Sequence, residues 1–132
     1  MKTVLFVCVG NSGRSQMAEA FFNYYAGGNK ARAISAGTEP ASAVSRTAIE
    51  AMREVGIDIS RNKPKALTPE MIDQANLVIT MGCGAEAACP ASWVETRDWA
   101  LEDPKDKPIE KVREIRDEIK TKVLNLLKEL EE

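Results

Sequence analysis

A cysteine and an arginine stand near the start of the chain with five residues between them, in the run Cys8-Val9-Gly10-Asn11-Ser12-Gly13-Arg14, and Ser15 follows at once. Five intervening residues can curl into a cup with their N–H groups aimed at one centre, as a tetrahedral anion with several oxygens requires. Gly10, Asn11 and Gly13 suit the positive or otherwise unusual φ values of such a cup. Arg14 can fork onto two oxygens of the anion. A helix beginning near Arg14 would turn its positive end and unsatisfied N–H groups to the same place, a field that favours the thiolate of Cys8. Ser15 is placed to donate to that thiolate or to help cap the helix, and Asn11 to brace the loop. The chemistry this pattern supports is attack by the Cys8 thiolate on a bound oxyanion. The plainer reading is a buried cysteine at a strand end followed by a glycine turn. The chain has no histidine, which removes Cys-His dyads, Ser-His-Asp triads and most zinc sites.

The elements that must position these residues follow from pattern. Lys2 to Val7 is a β-branched and aromatic run, expected as a strand buried on both faces. After the glycine-rich turn, Met17, Ala20, Phe21 and Tyr24 recur at helical spacing. Ala31 to Ser35 reads as a second strand. Ser42 to Val55 reads as an amphipathic helix stopped by Gly56. A polar connection over Ile57 to Lys65 leads to a short helix, Leu67 to Ala75, with Pro69 in its first turn. Leu77 to Met81 is a further buried strand, Gly82 to Ser92 a loop, and Trp93 to Thr96 a short fourth strand. A long last helix carries Val112, Ile115, Ile119, Val123, Leu126, Leu127 and Leu130, with a solvated polar face. Strands alternating with helices imply an α/β fold with a parallel sheet covered on both faces, and ligands beyond the carboxyl ends of the strands. Cys8, Ser35, the start of the Gly82 loop and the loop after Trp93 all fall there.

Composition bounds the function classes. The 132 residues have the size of one domain, 1–132, able to bury a core without metals or disulfides. A formal net charge of -2 gives no basic field for nucleic acid. No apolar run approaches the roughly 20 residues that span a bilayer. The short apolar run at the N-terminus is expected to be a strand and not a signal peptide. Three cysteines, an odd number, point to thiol chemistry in a reducing, cytoplasmic setting.

The segment Cys8-Val-Gly-Asn-Ser-Gly-Arg-Ser-Gln-Met-Ala-Glu19, with Ser35-Ala-Gly-Thr38 and Asp103-Pro104, resembles the low-molecular-weight tyrosine phosphatase superfamily. It is most similar to the thioredoxin-coupled arsenate reductase branch, over nearly the whole chain. The resemblance implies a three-layer sandwich with a four-stranded parallel sheet in the order 2-1-3-4, and a monomer. Phosphatases of the superfamily usually follow the Arg-Ser pair with proline, whereas here Gln16 stands there. Phosphatases also often place tyrosines after the Asp-Pro pair, whereas this chain has Lys105-Asp-Lys107. Cys83 and Cys89 supply a pair of thiols that a hydrolase does not need and a reductase does; otherwise they are small apolar residues. Reductases of this type commonly have six residues between these cysteines, and this chain has five. They also often carry cysteine where Gly13 stands, a change expected to be harmless because glycine suits a tight loop.

The resemblance implies a mechanism. Cys8 attacks arsenic(V) held by Arg14 and the amides of residues 9–14, and Asp103 acts as general acid, helped by desolvation of its carboxyl group. For Asp103 the plainer reading is a turn-forming Asp-Pro pair. Cys83 then attacks the adduct, Cys89 displaces Cys8, and an external thioredoxin-like dithiol reduces the Cys83–Cys89 disulfide, with no bound cofactor. Many such reductases also bind potassium through an asparagine, a glutamate, a serine and an aspartate. Asn11, Glu19 and Ser35 match the first three, and Lys65 stands in the aspartate's place. The ammonium of Lys65, or of nearby Lys63, is therefore expected where the cation would be. The competing function is hydrolysis of phosphotyrosine or aryl phosphates through a Cys8 phosphoenzyme, with the same Arg14 and Asp103. A non-catalytic oxyanion-binding module is a third possibility.

Overall fold

A computed structural model describes residues 2–26, 31–81 and 95–130. Eight elements follow in the order β1 (Lys2–Cys8), α1 (Arg14–Ala26), β2 (Ala31–Gly37), α2 (Arg46–Arg53), α3 (Pro69–Gln74), β3 (Leu77–Thr80), β4 (Glu95–Asp98) and α4 (Ile109–Leu130). The strands form one parallel sheet in the order β2-β1-β3-β4, as the resemblance implied.

The alternation of side chains along β1 divides the core in two. Val4, Phe6 and Cys8 point to the face covered by α1 and α4, with Ala48 and Met52 of α2 packed at its margin. Leu5 and Val7 point to the other face, against Ile72 of α3, Ala75 and Val78. A period of two in a strand buried on both sides is what a central parallel strand requires. Three layers result. Cys8 thereby leaves the sheet on the same side as the N-terminus of α1.

The expected elements all form, with shifted bounds. β2 runs two residues beyond Ser35, because Ala36 and Gly37 pair with Val7 and Cys8. α2 is shorter than the apolar spacing suggested. Its cap is Ser45, whose hydroxyl accepts from the Ala48 N–H, so residues 42–45 stay outside the helix. Gly56 ends this region with φ 85°. Thr68 caps α3 with its hydroxyl on the Met71 N–H, and Pro69 occupies the first turn. The polar connection has a role of its own: Ala66 forms a parallel bridge with Gly37. β4 begins at Glu95; Trp93 and the loop Gly82 to Ser92 lie outside the described residues.

β4 is an edge strand, as β2 is on the other side, and its Arg97 is clasped by Glu95 at 2.6 Å and by both carboxylate oxygens of Glu129 at 2.8 and 2.9 Å. Charge on an edge blunts pairing with other chains. Trp99 follows and lies 5.5 Å from the ring of Phe6, with the Lys122 ammonium 6.0 Å above it.

The last helix is not solvated all along its polar face. Arg116 is buried, donating to the Ala51 carbonyl at 2.9 Å and to Glu54 at 2.8 Å. Arg113 grips the same Glu54 carboxylate through Nε and Nη2. Arg113 first, and Arg116 after it, hold the Glu54 carboxyl down to about 2, against the opposing push of partial burial. This cluster ties the C-terminal end of α2 to α4. A carboxyl depressed in the folded state contributes stability that is fully present above its unfolded pKa and lost as pH falls through the folded one. Glu54→Gln is therefore expected to lower the thermal midpoint at neutral pH. The gap between variant and wild type should close as pH falls from about 4.5 toward 2 in thermal melts followed by circular dichroism; a gap that persists at pH 2 would contradict this assignment.

Candidate active site

Cys8 ends β1, 2% exposed, and the loop 9–13 passes from it to α1. The outer side of that loop is hydrogen-bonded to the segment after β2. Thr38, Glu39, Ala41 and Ser45 donate their N–H groups to the carbonyls of Cys8, Val9, Gly10 and Ser12 at 3.0, 2.8, 2.9 and 2.8 Å. No peptide here is cis, and in a trans peptide the N–H lies opposite the C=O. With those carbonyls turned outward, the N–H groups of Val9, Gly10, Asn11 and Gly13 turn inward. The Asn11 N–H shows it directly, reaching Cys8 Sγ at 3.2 Å.

Ser15 Oγ lies 2.8 Å from Cys8 Sγ and accepts from Asn11 Nδ2 at 2.7 Å, which leaves its hydroxyl hydrogen for the sulfur. Arg14 is buried. Its Nη1 is fixed by the carbonyls of Met81 (2.8 Å) and Leu101 (3.1 Å), and its Nη2 stands 3.7 Å from Asp103 Oδ2. One nitrogen thus orients the guanidinium and the other faces the rim. These groups line a pocket of about 660 Å³ that also takes in Asp103, Pro104 and the side chains of residues 45–47. The inward amides, the sulfur and the guanidinium converge on one place where a tetrahedral anion fits.

Behind the loop, Asn11 has φ 50°. Its amide is oriented by its partners: the Lys65 N–H can only donate, so Oδ1 accepts from it at 2.9 Å, and Gln16 Nε2 donates to the same oxygen at 3.1 Å. Nδ2 gives to the hydroxyls of Ser15 and Ser35, and Ser35 donates onward to Glu19. Glu19 faces the Lys65 ammonium at 3.7 Å. The residues matched to a potassium cage do not fit one. The Asn11 oxygen already accepts twice, the Ser35 hydroxyl both accepts and donates, and a lysine ammonium stands beside the carboxylate. Lys63 contributes its carbonyl, to Gln16, and not its ammonium.

Several expectations need correction. Gly10 and Gly13 have no positive φ; among the described loop residues that conformation belongs to Asn11. Among the described glycines around the cup, the one with a steric demand from backbone is Gly37, where a Cβ would lie 2.5 Å from the Val9 carbonyl and 3.0 Å from the Asn11 N–H. Asp103 is not desolvated: its side chain is 60% exposed, with Oδ1 accepting from the Lys105 N–H at 3.0 Å. Cys83 and Cys89 lie outside the described residues.

The sequence reading missed the outer brace of residues 38–45, the buried Gln16 with its partner Asn62, and Arg116. Gln16 carried a signal, since it replaces the proline usual in phosphatases. So did Arg116, which sits on the buried stripe between Val112 and Ile119.

A parallel sheet in the order 2-1-3-4 with a cysteine-to-arginine anion cup at its carboxyl end defines a class of thiolate enzymes acting on tetrahedral oxyanions. The chain belongs to the low molecular weight phosphotyrosine protein phosphatase family, whose model matches residues 3–132. Arsenate reductase 2 of Staphylococcus haemolyticus is 40% identical over 124 residues, which is 92% of this chain and 93% of that protein. A solved thioredoxin-dependent arsenate reductase of Corynebacterium glutamicum superposes with a TM-score of 0.86 at 39% identity, covering 99% of this chain. This chain spans 62% of that one's length. A low molecular weight protein tyrosine phosphatase from T. tengcongensis superposes with a TM-score of 0.88 at 29% identity, covering 98% of this chain and 99% of its own.

The steric demand at Gly37 yields a prediction. A Cβ meeting a backbone carbonyl cannot be relieved by a rotamer change, so Gly37→Ala must displace Val9 and Asn11. Inorganic phosphate, titrated by calorimetry, is expected to bind this variant at least about tenfold more weakly, a loss of the size that misplaced anion donors cause. Wild-type affinity would show that the brace does not shape the cup.

Proposed function

We propose that this protein reduces arsenate to arsenite, with Cys8 as nucleophile and a Cys83/Cys89 thiol relay. The observation that carries the reading is the ring of inward N–H groups about the Cys8 sulfur, with the Arg14 guanidinium beside it. The arsenate reductase relatives, more similar than the phosphatase, support reduction over hydrolysis.

Arsenate enters as an oxyanion and is held by the amides of residues 9–14 and by Arg14. The sulfur is positioned by Ser15 and the Asn11 N–H. It attacks arsenic and forms an S–As bond while one oxygen leaves as water, protonated by Asp103 from the rim. The Cys83 thiolate attacks the Cys8 sulfur; the S–As bonding pair passes to arsenic, which leaves as arsenite, now trivalent. Cys89 displaces Cys8 from the mixed disulfide. The two electrons are restored when an external dithiol of the thioredoxin kind reduces Cys83–Cys89. Relay through free thiols fits a reducing compartment such as the cytoplasm, and the 132 residues act as a single domain. No helix among the described residues is long and apolar enough to cross a membrane.

The likeness to a low molecular weight protein tyrosine phosphatase supports a second activity, hydrolysis of aryl phosphates through a phosphorylated Cys8, with the same arginine and acid.

Turnover of arsenate with a thioredoxin system, beside hydrolysis of an aryl phosphate, separates the two. Cys8→Ser should abolish both. Cys83→Ser and Cys89→Ser should each stop sustained arsenate reduction and spare any hydrolysis. Wild-type arsenate turnover in either relay mutant would overturn the relay. The Lys65 ammonium takes the place of a cation behind the loop, so replacing sodium by potassium at constant ionic strength should leave arsenate turnover within about twofold, less than the ~0.5 kcal/mol that a weak exposed ion pair is worth. A clear rise with potassium would contradict that role.

A further inference from the structure

The loop that carries Asp103 leaves the sheet through one residue in an unusual backbone conformation. Trp99 still belongs to the ladder, its N–H donating to the Thr80 carbonyl at 2.8 Å. Two residues on, the Leu101 carbonyl accepts from Arg14 Nη1 at 3.1 Å, and the Leu101 side chain is buried. Ala100, between them, has φ 48°. That left-handed region is sterically costly for a residue with a Cβ; asparagine and aspartate tolerate it, and β-branched residues resist it most. Asp106, at the far end of the same loop, has φ 61° and is of the tolerant type. Alanine has no such excuse. Ala100 is also exposed, so packing of its methyl group is not what holds the conformation.

From this geometry we infer that Ala100 is a positioning residue for Arg14: its left-handed turn delivers the Leu101 carbonyl to the guanidinium and so aims the group that meets the oxyanion. The inference rests on the oxyanion role proposed above for Arg14. Arg14 Nη1 has two carbonyl acceptors from different segments, Met81 after β3 and Leu101 after β4. With one acceptor withdrawn, the guanidinium can swing about the other, and Nη2 loses its fixed direction toward the rim. A right-handed or extended residue at position 100 would send the chain from Trp99 another way, since one residue's φ redirects all that follows. The turn is held from its far side. Leu101 is buried in the core, and the Glu102 carboxylate meets the ammonium groups of Lys111 at 3.1 Å and Lys107 at 3.6 Å. Strain kept in place by surrounding contacts is common where a functional group must be held in one orientation.

Four substitutions at this one position separate backbone preference from size. Glycine and asparagine accept the left-handed region, whereas valine and threonine are branched at Cβ and resist it. Asparagine is no smaller than either branched residue, so bulk is matched while conformation is not. Ala100→Val and Ala100→Thr are expected to bind inorganic phosphate, titrated by calorimetry, at least about fivefold more weakly, and to lose kcat/KM for arsenate by at least the same factor. Ala100→Asn and Ala100→Gly should bind phosphate as tightly as wild type to within about twofold, or more tightly. Wild-type affinity in both branched variants would overturn the inference. Equal losses in all four would assign the effect to the methyl group or to bulk and also overturn it. Should the branched variants fail to fold, the other two still decide: a loss beyond about fivefold in either overturns the inference, and retained affinity in both supports it. Arg14→Lys distinguishes this from failure of the underlying reading. If that variant keeps wild-type phosphate affinity, the oxyanion role of Arg14 falls and the claim for Ala100 falls with it. If it is impaired while the branched variants are not, the Ala100 claim alone fails. A crystal structure of Ala100→Thr reads the geometry without turnover: a Leu101 carbonyl withdrawn from Arg14 supports the inference, and one that stays refutes it.

Discussion

The site depends on a set of backbone hydrogen bonds that point away from it. Four carbonyls of the loop after β1 are drawn outward by the N–H groups of Thr38, Glu39, Ala41 and Ser45. Peptide planarity then leaves the opposite N–H groups no direction but inward. A buried pocket that receives an anion has to meet it with donors, because burying an unpaired charge is costly. Here the donors come from the main chain and cost no side-chain entropy. Close approach of the brace is possible because Gly37, at the turn from β2 into it, has no Cβ to strike the Val9 carbonyl.

A second layer keeps the cup from relaxing. Asn11 adopts a left-handed conformation that asparagine tolerates better than most residues. Its side chain satisfies four partners: the hydroxyls of Ser15 and Ser35, the Lys65 N–H and Gln16. Through Lys65 and Gln16 the loop is tied to the connection before α3, which also pairs with Gly37. Loss of a donor or acceptor in such a buried network exposes the others to the cost of an unmade bond, about 1–3 kcal/mol each. The Lys65 ammonium beside Glu19 completes the charge balance on that side.

Arg14 joins the cup to the loop that carries Asp103. The same guanidinium that closes the anion site is pinned by carbonyls from the end of β3 and from Leu101. Whatever orders the segment from Trp99 to Lys107 therefore also orients the arginine. Trp99 tilted against Phe6, the buried Leu101 and Pro104 seated at Gly13 are among the packing contacts that do so.

Read alone, the sequence determined the strand–glycine turn–helix unit and the parallel sheet covered on both faces, and it pointed to Cys8, Arg14 and Ser15, which the fold brings together. These are local facts: a period of two in Val4 to Cys8, helical spacing from Met17, and a cup with only five residues between its ends. Residue spacing could not show that residues 38–45 turn the loop's amides inward, that Gly37 and not Gly10 or Gly13 is sterically required, or that Arg116 is buried. Each is a contact between segments distant in the chain. Side-chain type says what a residue can donate or accept, whereas its partner is set only when the sheet and helices bring separate segments together.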